Sequence, residues 1–289
     1  MALDLRFGFS PRSARRRWQG VLDRIGVVPL GAYSVRRLDS NYSGACLRVR
    51  RSSDNAELDI GFAGQALDIS ALLGFVGAGD GFVTTWYDQS GNARNLAQSV
   101  AANQPKLVLA GAYLGGIRPD AGTLQRLSRT DSAFALHASA ATIASVLGAT
   151  EPGASFLGTI WALGSTSGNR IWLGTAPGNR TLAVRGSSQL AATPTQTLNA
   201  SGNLIVFTKT ASADASGFQT RANGSAASGY AAQAIGATDN AFMLNQNGAG
   251  TAAGFHVHRE LILWGQALDA GQIGLMESSA AGYFGIALG

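Results

Sequence analysis

Residues 82–96, with the sequence FVTTWYDQSGNARNL, carry the clearest fold signal in the chain. The segment from Phe82 to Trp86 consists mainly of β-branched and aromatic residues, which favour strands. Asp88, Ser90 and Gly91 follow at once, and such residues favour tight turns because they hydrogen-bond nearby backbone or tolerate unusual dihedral angles. The stretch therefore predicts a strand that leads directly into a polar turn. We predict a structural role in that turn for Asp88 and Ser90, and favour it over catalysis.

Shorter motifs precede this stretch, namely YSG at 42–44, LRVRRSSD at 47–54 and DI at 59–60. Together with YDQSG at 87–91, they form an ordered series that resembles the catalytic-domain family of the fungal and bacterial B-type α-L-arabinofuranosidases. The series also resembles a group of phage and prophage virion proteins that carry this module. The resemblance covers residues 33–110 and implies a concanavalin A-like β-sandwich.

The composition also indicates an all-β protein. Charged residues make up 13% of the 289 residues, while the chain contains 38 glycines, so short strands and tight turns are favoured over long solvated helices. Short apolar runs separated by Gly, Asn and Ser continue to the C-terminus, as expected for a two-sheet sandwich. These runs are 107–112, 133–138, 142–147, 156–163, 170–174, 181–185, 204–209, 218–222, 241–244 and 253–264.

The sequence GFHVHRELILW at 254–264 is similar to the closing strand of concanavalin A-like and laminin G-like jelly rolls. Asp269 and Gln272 then form a capping-box pattern for a helix over 270–284. We therefore predict a concanavalin A-like jelly-roll β-sandwich with an N-terminal strand and helix arm and a short C-terminal helix. The predicted boundaries are 1–30 for the arm and 31–289 for the sandwich.

The arm is basic and contains one amphipathic segment. Residues 1–51 hold 11 of the 22 Lys and Arg residues but 3 of the 17 Asp and Glu residues. Ser10 and Pro11 suit a helix start, and the apolar residues from Trp18 to Ile25 have helical spacing. We predict that this arm docks on an acidic protein surface, which is favoured over nucleic acid. The predicted attachment residues are Arg12, Arg15, Arg16, Arg17, Trp18, Leu22 and Ile25.

Cys46 is the single cysteine, so an intramolecular disulfide is excluded. This departs from the disulfide-rich secreted arabinofuranosidases and favours folding in a reducing cytoplasm. We expect no signal peptide, because residues 1–18 lack an apolar core, and no apolar run approaches the ~20 residues of a membrane span.

A glycosidase requires two carboxyl groups at the glycosidic bond. The resemblance implies that these would lie in the segments 168–174 and 244–248, and neither contains an acid. The whole stretch 152–213 lacks Asp and Glu. The sequence therefore predicts no catalytic residue at the family positions, and an active enzyme would need a relocated carboxylate pair.

Sugar binding without hydrolysis requires aromatic faces and planar amide or guanidinium groups. A place in the sandwich core is the alternative for each tryptophan, and it is slightly favoured for each taken alone. The candidate carbohydrate-binding residues are Trp161, Asn169, Arg170, Trp172, Arg185, Asn245, Gln246 and Asn247.

His256 and His258 share one strand face and could chelate a metal, but no third ligand is evident. We therefore predict no metal site and no cofactor.

These observations lead us to predict a phage-type virion structural protein, such as a spike, fibre or tail component. Its non-catalytic sandwich would contact host surface polysaccharide, and the arm would bind other virion proteins in a homo-oligomer. Assembly would take place in the bacterial cytoplasm, without a membrane partner. The alternatives are an active arabinofuranosidase-like glycoside hydrolase acting on a cell-surface glycan, and a purely structural adaptor.

Overall fold

The computed structural model describes residues 18–120, 123–150, 158–166, 169–175, 182–185, 198–199, 202–211, 215–230, 240–245 and 256–289. Numbered in chain order, its strands are β1 Gly31–Ser34, β2 Leu47–Arg51, β3 Glu57–Ile60, β4 Phe62–Ala63, β5 Ala66–Leu67, β6 Gly81–Trp86, β7 Leu96–Ala97, β8 Lys106–Leu109, β9 Ala112–Arg118, β10 Leu127–Thr130, β11 Ala141–Thr150, β12 Gly158–Thr166, β13 Asn169–Thr175, β14 Leu182–Arg185, β15 Asn203–Lys209, β16 Phe218–Ala222, β17 Ser228–Gly229, β18 Ala241–Leu244 and β19 His256–Trp264. The α-helices are α1 Val21–Ile25, α2 Ile69–Val76 and α3 Ala270–Phe284, and short 3-10 turns occur at Ala101–Asn103, Ser132–Phe134 and Ala215–Gly217.

The strands form two antiparallel layers. We call the layer β3-β2-β6-β7-β10-β18-β12-β13-β14 the front sheet, in order of strand pairing. The back sheet contains β19 with β1 and β9 on one side, followed on its other side by β11, β15, β16 and β17. Strand β8 pairs with both β6 and β9, and thereby connects the two layers.

The main core lies between the two sheets. Leu47 and Val49 of the front sheet belong to the same buried cluster as Leu261 and Leu263 of the back sheet. The ring of Trp161, in the front sheet, packs edge-on against that of Phe207 in the back sheet, with 5.3 Å between the ring centres. The all-β sandwich predicted from the short apolar runs is confirmed.

A second core covers the outer face of the back sheet. Ile262 and Trp264 alternate with the inward-facing leucines of β19 and pack under α1 and α3. Because both faces of β19 are covered, its C-terminal half is a continuous apolar run. In β2, by contrast, Arg48 is exposed and Arg50 half-buried on the outer face. The outer face of the front sheet is therefore the polar one at this edge.

The C-terminal helix agrees with its prediction, including its bounds. The side chain of Asp269 accepts a hydrogen bond from the Gln272 amide at 2.8 Å, and the Gln272 side chain accepts one from the Asp269 amide at 3.0 Å. No helix in the described part of the chain is long and apolar enough to cross a membrane.

The N-terminal helix differs from its prediction. Within the described residues it spans Val21–Ile25, and Gly26 ends it in the left-handed conformation with φ 71°. Leu22 and Ile25, which we expected on an exposed docking stripe, are buried against the back sheet and α3. Trp18 is half-buried, and Arg12, Arg15, Arg16 and Arg17 lie outside the described residues.

Candidate functional site

The outer face of the front sheet carries one continuous row of residues that face one another across the strands. Each member is the direct pairing partner of the next, so the row crosses the sheet from its β3 edge to β14. With about 4.8 Å between neighbouring strands, the row is roughly 38 Å long. Its members are Asp59, Arg48, Thr85, Ala97, Ser128, Met243, Ala162, Trp172 and Arg185.

The side chains along this row have different sizes. Those of Thr85, Ala97 and Ser128 in the middle are small; Ala97 is exposed and the other two are half-buried. Arg48 and Asp59 are exposed at one end of the row, whereas Met243, Ala162 and Trp172 towards the other end are buried, with 7%, 0% and 3% of their surface exposed. The accessible part of the row therefore extends from Asp59 to Ser128.

Asp59 lies at the open edge of the sheet and is held by two neighbours. Arg48 Nε donates to Asp59 Oδ1 at 2.8 Å, and Arg48 Nη2 donates to Oδ2 at 3.2 Å. The hydroxyl of Tyr87 also donates to Oδ1, at 2.7 Å. The hydrogen bonds from Arg48, and after them the one from Tyr87, lower the pKa of Asp59. Asp59 is therefore ionised at neutral pH.

Glu57 is the second acid at this edge, two residues before Asp59 on β3. It pairs across the strands with Arg50, as Asp59 pairs with Arg48. Residues two apart on a strand point to the same face, with their Cα atoms about 6.7 Å apart. Within the described strands of the front sheet, Glu57 and Asp59 are the only carboxylates.

The far end of the row contains an arginine with buried, unsatisfied donors. Arg170 lies two residues before Trp172 on β13, and its guanidinium carbon is 5.9 Å from the centre of a Trp172 ring. Its Nε and Nη1 atoms are buried and have no hydrogen-bond partner. Burial lowers the pKa of Arg170. Trp172 packs with Ala162 and Met243 in a small buried cluster separate from the main core.

The structure separates the two tryptophans that we considered for carbohydrate binding. Trp161 is fully buried between the sheets, so it cannot face a ligand. Trp172 lies on the opposite face of the front sheet, where it is also buried, with 3% of its surface exposed. Asn245 is buried at the end of β18, where its Nδ2 donates to the Gln125 carbonyl at 2.8 Å and its Oδ1 has no partner. Asn169 and Arg185 are placed by strand pairing, and Gln246 and Asn247 lie outside the described residues.

Asp88 lies in the turn after β6, and each of its two carboxylate oxygens accepts two hydrogen bonds. Its Oδ1 accepts the amides of Ala32 at 2.8 Å and Ser90 at 2.9 Å. Its Oδ2 accepts the Ser90 hydroxyl at 2.7 Å and the Arg94 amide at 3.0 Å. This carboxylate thereby ties the turn to the start of β1.

His256 and His258 are buried near one end of the sandwich, with their ring centres 6.4 Å apart. Burial lowers the pKa of His256 to about 4 and that of His258 well below its ordinary value, with His256 as a second cause for His258. Among the residues that the structure describes, no group of three or more His, Cys, Asp or Glu could hold a metal ion.

Sequence reasoning did not single out the pair at the β3 edge. Asp54 and Asp59 both form ion pairs with arginines of β2, Arg51–Asp54 at 2.7 Å and Arg48–Asp59 at 2.8 Å. The spacing of Glu57 and Asp59 could have revealed the pair, because residues two apart on a strand lie on the same face of the sheet.

The comparison with known families supports this view of the fold. Residues 25–113 match the family model of the α-L-arabinofuranosidase B catalytic domain. That segment runs from the end of α1 into β9 and includes the β3 edge. No curated protein matches the chain.

Solved structures share the fold over nearly the whole chain. A GH54 α-L-arabinofuranosidase soaked with a cyclic sulfate inhibitor has a TM-score of 0.70 at 18% identity, covering 91% of this chain and 64% of its own. A mutant GH54 enzyme soaked with 4-nitrophenyl α-L-arabinofuranoside gives 0.71 at 17% identity, with coverages of 91% and 64%. An arabinofuranosidase complexed with arabinofuranosyl-α-1,2-xylobiose gives 0.67 at 17% identity, with coverages of 93% and 65%. The chain thus spans less than two thirds of these enzymes.

These matches overturn the function that we predicted from the sequence. The family model is that of a catalytic domain, and the similar structures are glycoside hydrolases. The interpretation as a non-catalytic phage virion structural protein is therefore wrong, and the hydrolase alternative fits better. The chain thus shares the sandwich fold of these enzymes, and residues 25–113 resemble their catalytic-domain family.

Proposed function

We propose that this chain is a glycoside hydrolase domain that acts on a glycan lying across the outer face of the front sheet. The observation that carries the proposal is the row from Asp59 to Arg185, which joins the carboxylates of the β3 edge to the Arg170 and Trp172 end of the face. The family match over residues 25–113 and the shared fold support the reaction class.

The chemistry assigns different roles to the two acids. Asp59, kept ionised by Arg48 and Tyr87, takes the proton of the attacking water, whose oxygen bonds to the anomeric carbon. The protonated form of Glu57 donates the proton to the glycosidic oxygen as that bond breaks. Inverting enzymes separate these groups by about 6.5–9.5 Å and retaining enzymes by about 5–5.5 Å. The Cα atoms of Glu57 and Asp59 are about 6.7 Å apart, and the separation of their carboxyl groups in a substrate complex decides between the two outcomes.

This pair takes over a role that the family positions do not supply here. The segments that correspond by resemblance to the family's acids are 168–174 and 244–248, and they contain amides and Arg170 but no carboxylate. The acids of the proposed pair therefore lie at the β3 edge of the front sheet, whereas Arg170 and Trp172 lie on β13, near its other edge.

The similar enzymes have structures with 4-nitrophenyl α-L-arabinofuranoside and arabinofuranosyl-α-1,2-xylobiose. We propose the same class of substrate for this chain, an L-arabinofuranosyl unit on a cell-surface polysaccharide. A single furanose ring is shorter than the accessible part of the row, which crosses five strands from Asp59 to Ser128, so a polymer would occupy its full length.

Hydrolysis of 4-nitrophenyl α-L-arabinofuranoside and of an arabinofuranosylated polysaccharide tests the proposal. We expect Glu57→Gln and Asp59→Asn each to lower kcat/KM by at least about 100-fold, the usual size of an acid-base contribution. Asp54→Asn is the matched control, because Asp54 forms a similar exposed ion pair with Arg51 at the hairpin end. Absence of sugar release from both substrates, or full activity of both variants, would refute the assignment.

A further inference from the structure

A pocket lies on the helix-covered side of the back sheet, opposite the outer face of the front sheet. It is formed by α1, the segment after β1 and α3. Its volume is about 280 Å³. Drug-sized ligands occupy pockets of about 300–1,000 Å³, so this pocket suits a smaller molecule. The polar side chains around it are Arg24, Arg36, Arg37, Gln65, Ser279 and Tyr283.

Arg36 forms the fixed floor of the pocket. Its Nε donates to Glu260 Oε2 at 2.6 Å, its Nη2 donates to Oε1 at 2.9 Å, and its Nη1 donates to the Ser279 carbonyl and hydroxyl, both at 3.0 Å. The guanidinium carbon also lies 5.2 Å from the centre of the Tyr283 ring. Glu260 compensates the charge of Arg36. Arg36 therefore shapes the wall of the pocket but adds no net charge to it.

Arg24 and Arg37 provide the uncompensated charge. Neither forms an ion pair with a carboxylate among the described residues. The Nε of Arg37 is also buried without a hydrogen-bond partner. The acid on α1, Asp23, does not pair with either arginine. Its carboxylate accepts hydrogen bonds from the Gly20 amide at 2.6 Å and the Ser40 amide at 3.0 Å.

An arginine donor that is buried and unsatisfied costs free energy, and a bound acceptor removes that cost. Guanidinium groups match the geometry of tetrahedral and planar oxyanions, because several N–H donors lie in one rigid plane. Gln65, Ser279 and Tyr283 add neutral hydrogen-bonding groups to the same wall.

We propose that this pocket binds a small oxyanion, with phosphate or a phosphate monoester as the ligand class, through Arg24 and Arg37. The pocket belongs to the helix-covered side of the back sheet, whereas the hydrolase site lies on the outer face of the front sheet. Ligand binding here and glycan hydrolysis there are therefore separable.

Calorimetric titration of the full chain with inorganic phosphate tests the inference, with sulfate and acetate at matched ionic strength as the other ligands. We expect saturable phosphate binding that is at least about tenfold weaker in Arg24→Gln/Arg37→Gln, equivalent to a loss of about 1.4 kcal/mol. Arg126→Gln is the control, because Arg126 lies outside the pocket and lacks a carboxylate partner among the described residues. Equal affinity for sulfate would extend the ligand class to tetrahedral oxyanions in general.

Phosphate binding that is unchanged in the double variant would overturn the inference, and so would the absence of binding up to ~10 mM phosphate. Far-UV circular dichroism establishes that the double variant folds, and the single variant Arg24→Gln provides a second test. Arg24 is exposed and makes no packing contact in the core, so we expect this variant to fold and to bind phosphate more weakly. Hydrolytic activity should be the same in all these variants.

Discussion

Arg36 and Glu260 form a buried bidentate ion pair, with Nε–Oε2 and Nη2–Oε1 distances of 2.6 and 2.9 Å. Their side chains are 7% and 1% exposed, and Ser34 adds a hydroxyl donor to Glu260 at 2.9 Å. The pair connects β19 to the chain after β1 and, through Ser279, to α3.

Removing one partner of this pair should strongly destabilise the fold. We expect Glu260→Gln or Arg36→Met to lower the free energy of unfolding by about 3–5 kcal/mol, because the remaining charge is buried and unpaired. The double variant Arg36→Met/Glu260→Leu should cost clearly less than the sum of the single changes. Chemical denaturation measures all of these, and strictly additive losses would contradict the coupling.

The Arg170 donors predict an effect on binding. Arg170→Gln should weaken the binding of the substrate polysaccharide by about 5- to 10-fold, since a hydrogen bond to a charged group contributes about 1.5–3 kcal/mol and glutamine retains part of it. Stability should change little, because the two buried donors have no protein partner to lose. Arg24→Gln serves as control, because Arg24 lies on the helix-covered side of the back sheet. Equal affinity of the two variants would remove Arg170 from the glycan-binding face.

The buried histidine pair predicts a pH dependence of stability. The folded-state pKa of His256 is about 4, below the ordinary value of about 6.5. Between these values the unfolded state binds more protons, so stability falls as pH falls from about 6.5 to about 4, by roughly 3 kcal/mol for His256. In unfolding experiments across this pH range, we expect the His258→Leu variant to lose less stability than the unaltered chain. An equal loss in this variant and in the unaltered chain would refute the role of the pair.

Cys46 should be inert in the folded protein. Its side chain is completely buried, its Sγ lies 3.2 Å from the Ser34 carbonyl, and burial raises the pKa of the thiol. A thiol that stays protonated and inaccessible does not attack disulfide reagents. We expect no reaction in native buffer and complete reaction in denaturant. Rapid stoichiometric labelling of the native protein would contradict this burial.

The sequence predicts the local features of this fold well. The capping box at Asp269 and Gln272 marks the start of α3, and Asp68 caps α2 by accepting the Ala71 amide at 2.9 Å. The strand prediction for residues 133–138 is wrong, because a 3-10 turn at Ser132–Phe134 and a further turn replace a strand there. The side chain of Asp131 accepts the Ala133 amide at 3.1 Å and stabilises the 3-10 turn.

The functional face could not be predicted in the same way, because it depends on pairing between distant strands. Asp59 and Trp172 belong to one row only because the six strands between β3 and β13 pair in register, and no local pattern contains that information. Similarly, the sequence alone does not reveal that Trp161 lies in the main core while Trp172 lies on the opposite face of the sheet, because the register of β12 with β13 decides it: Trp161 pairs with Leu173, and Ala162 pairs with Trp172.

The most direct test of the central claim is a crystal structure of the Asp59→Asn variant with a bound arabinofuranosyl oligosaccharide. We expect the sugar chain on the outer face of the front sheet, with its scissile linkage between Glu57 and residue 59 and its far end near Arg170 and Trp172. A sugar chain bound elsewhere, with this face empty, would contradict the account.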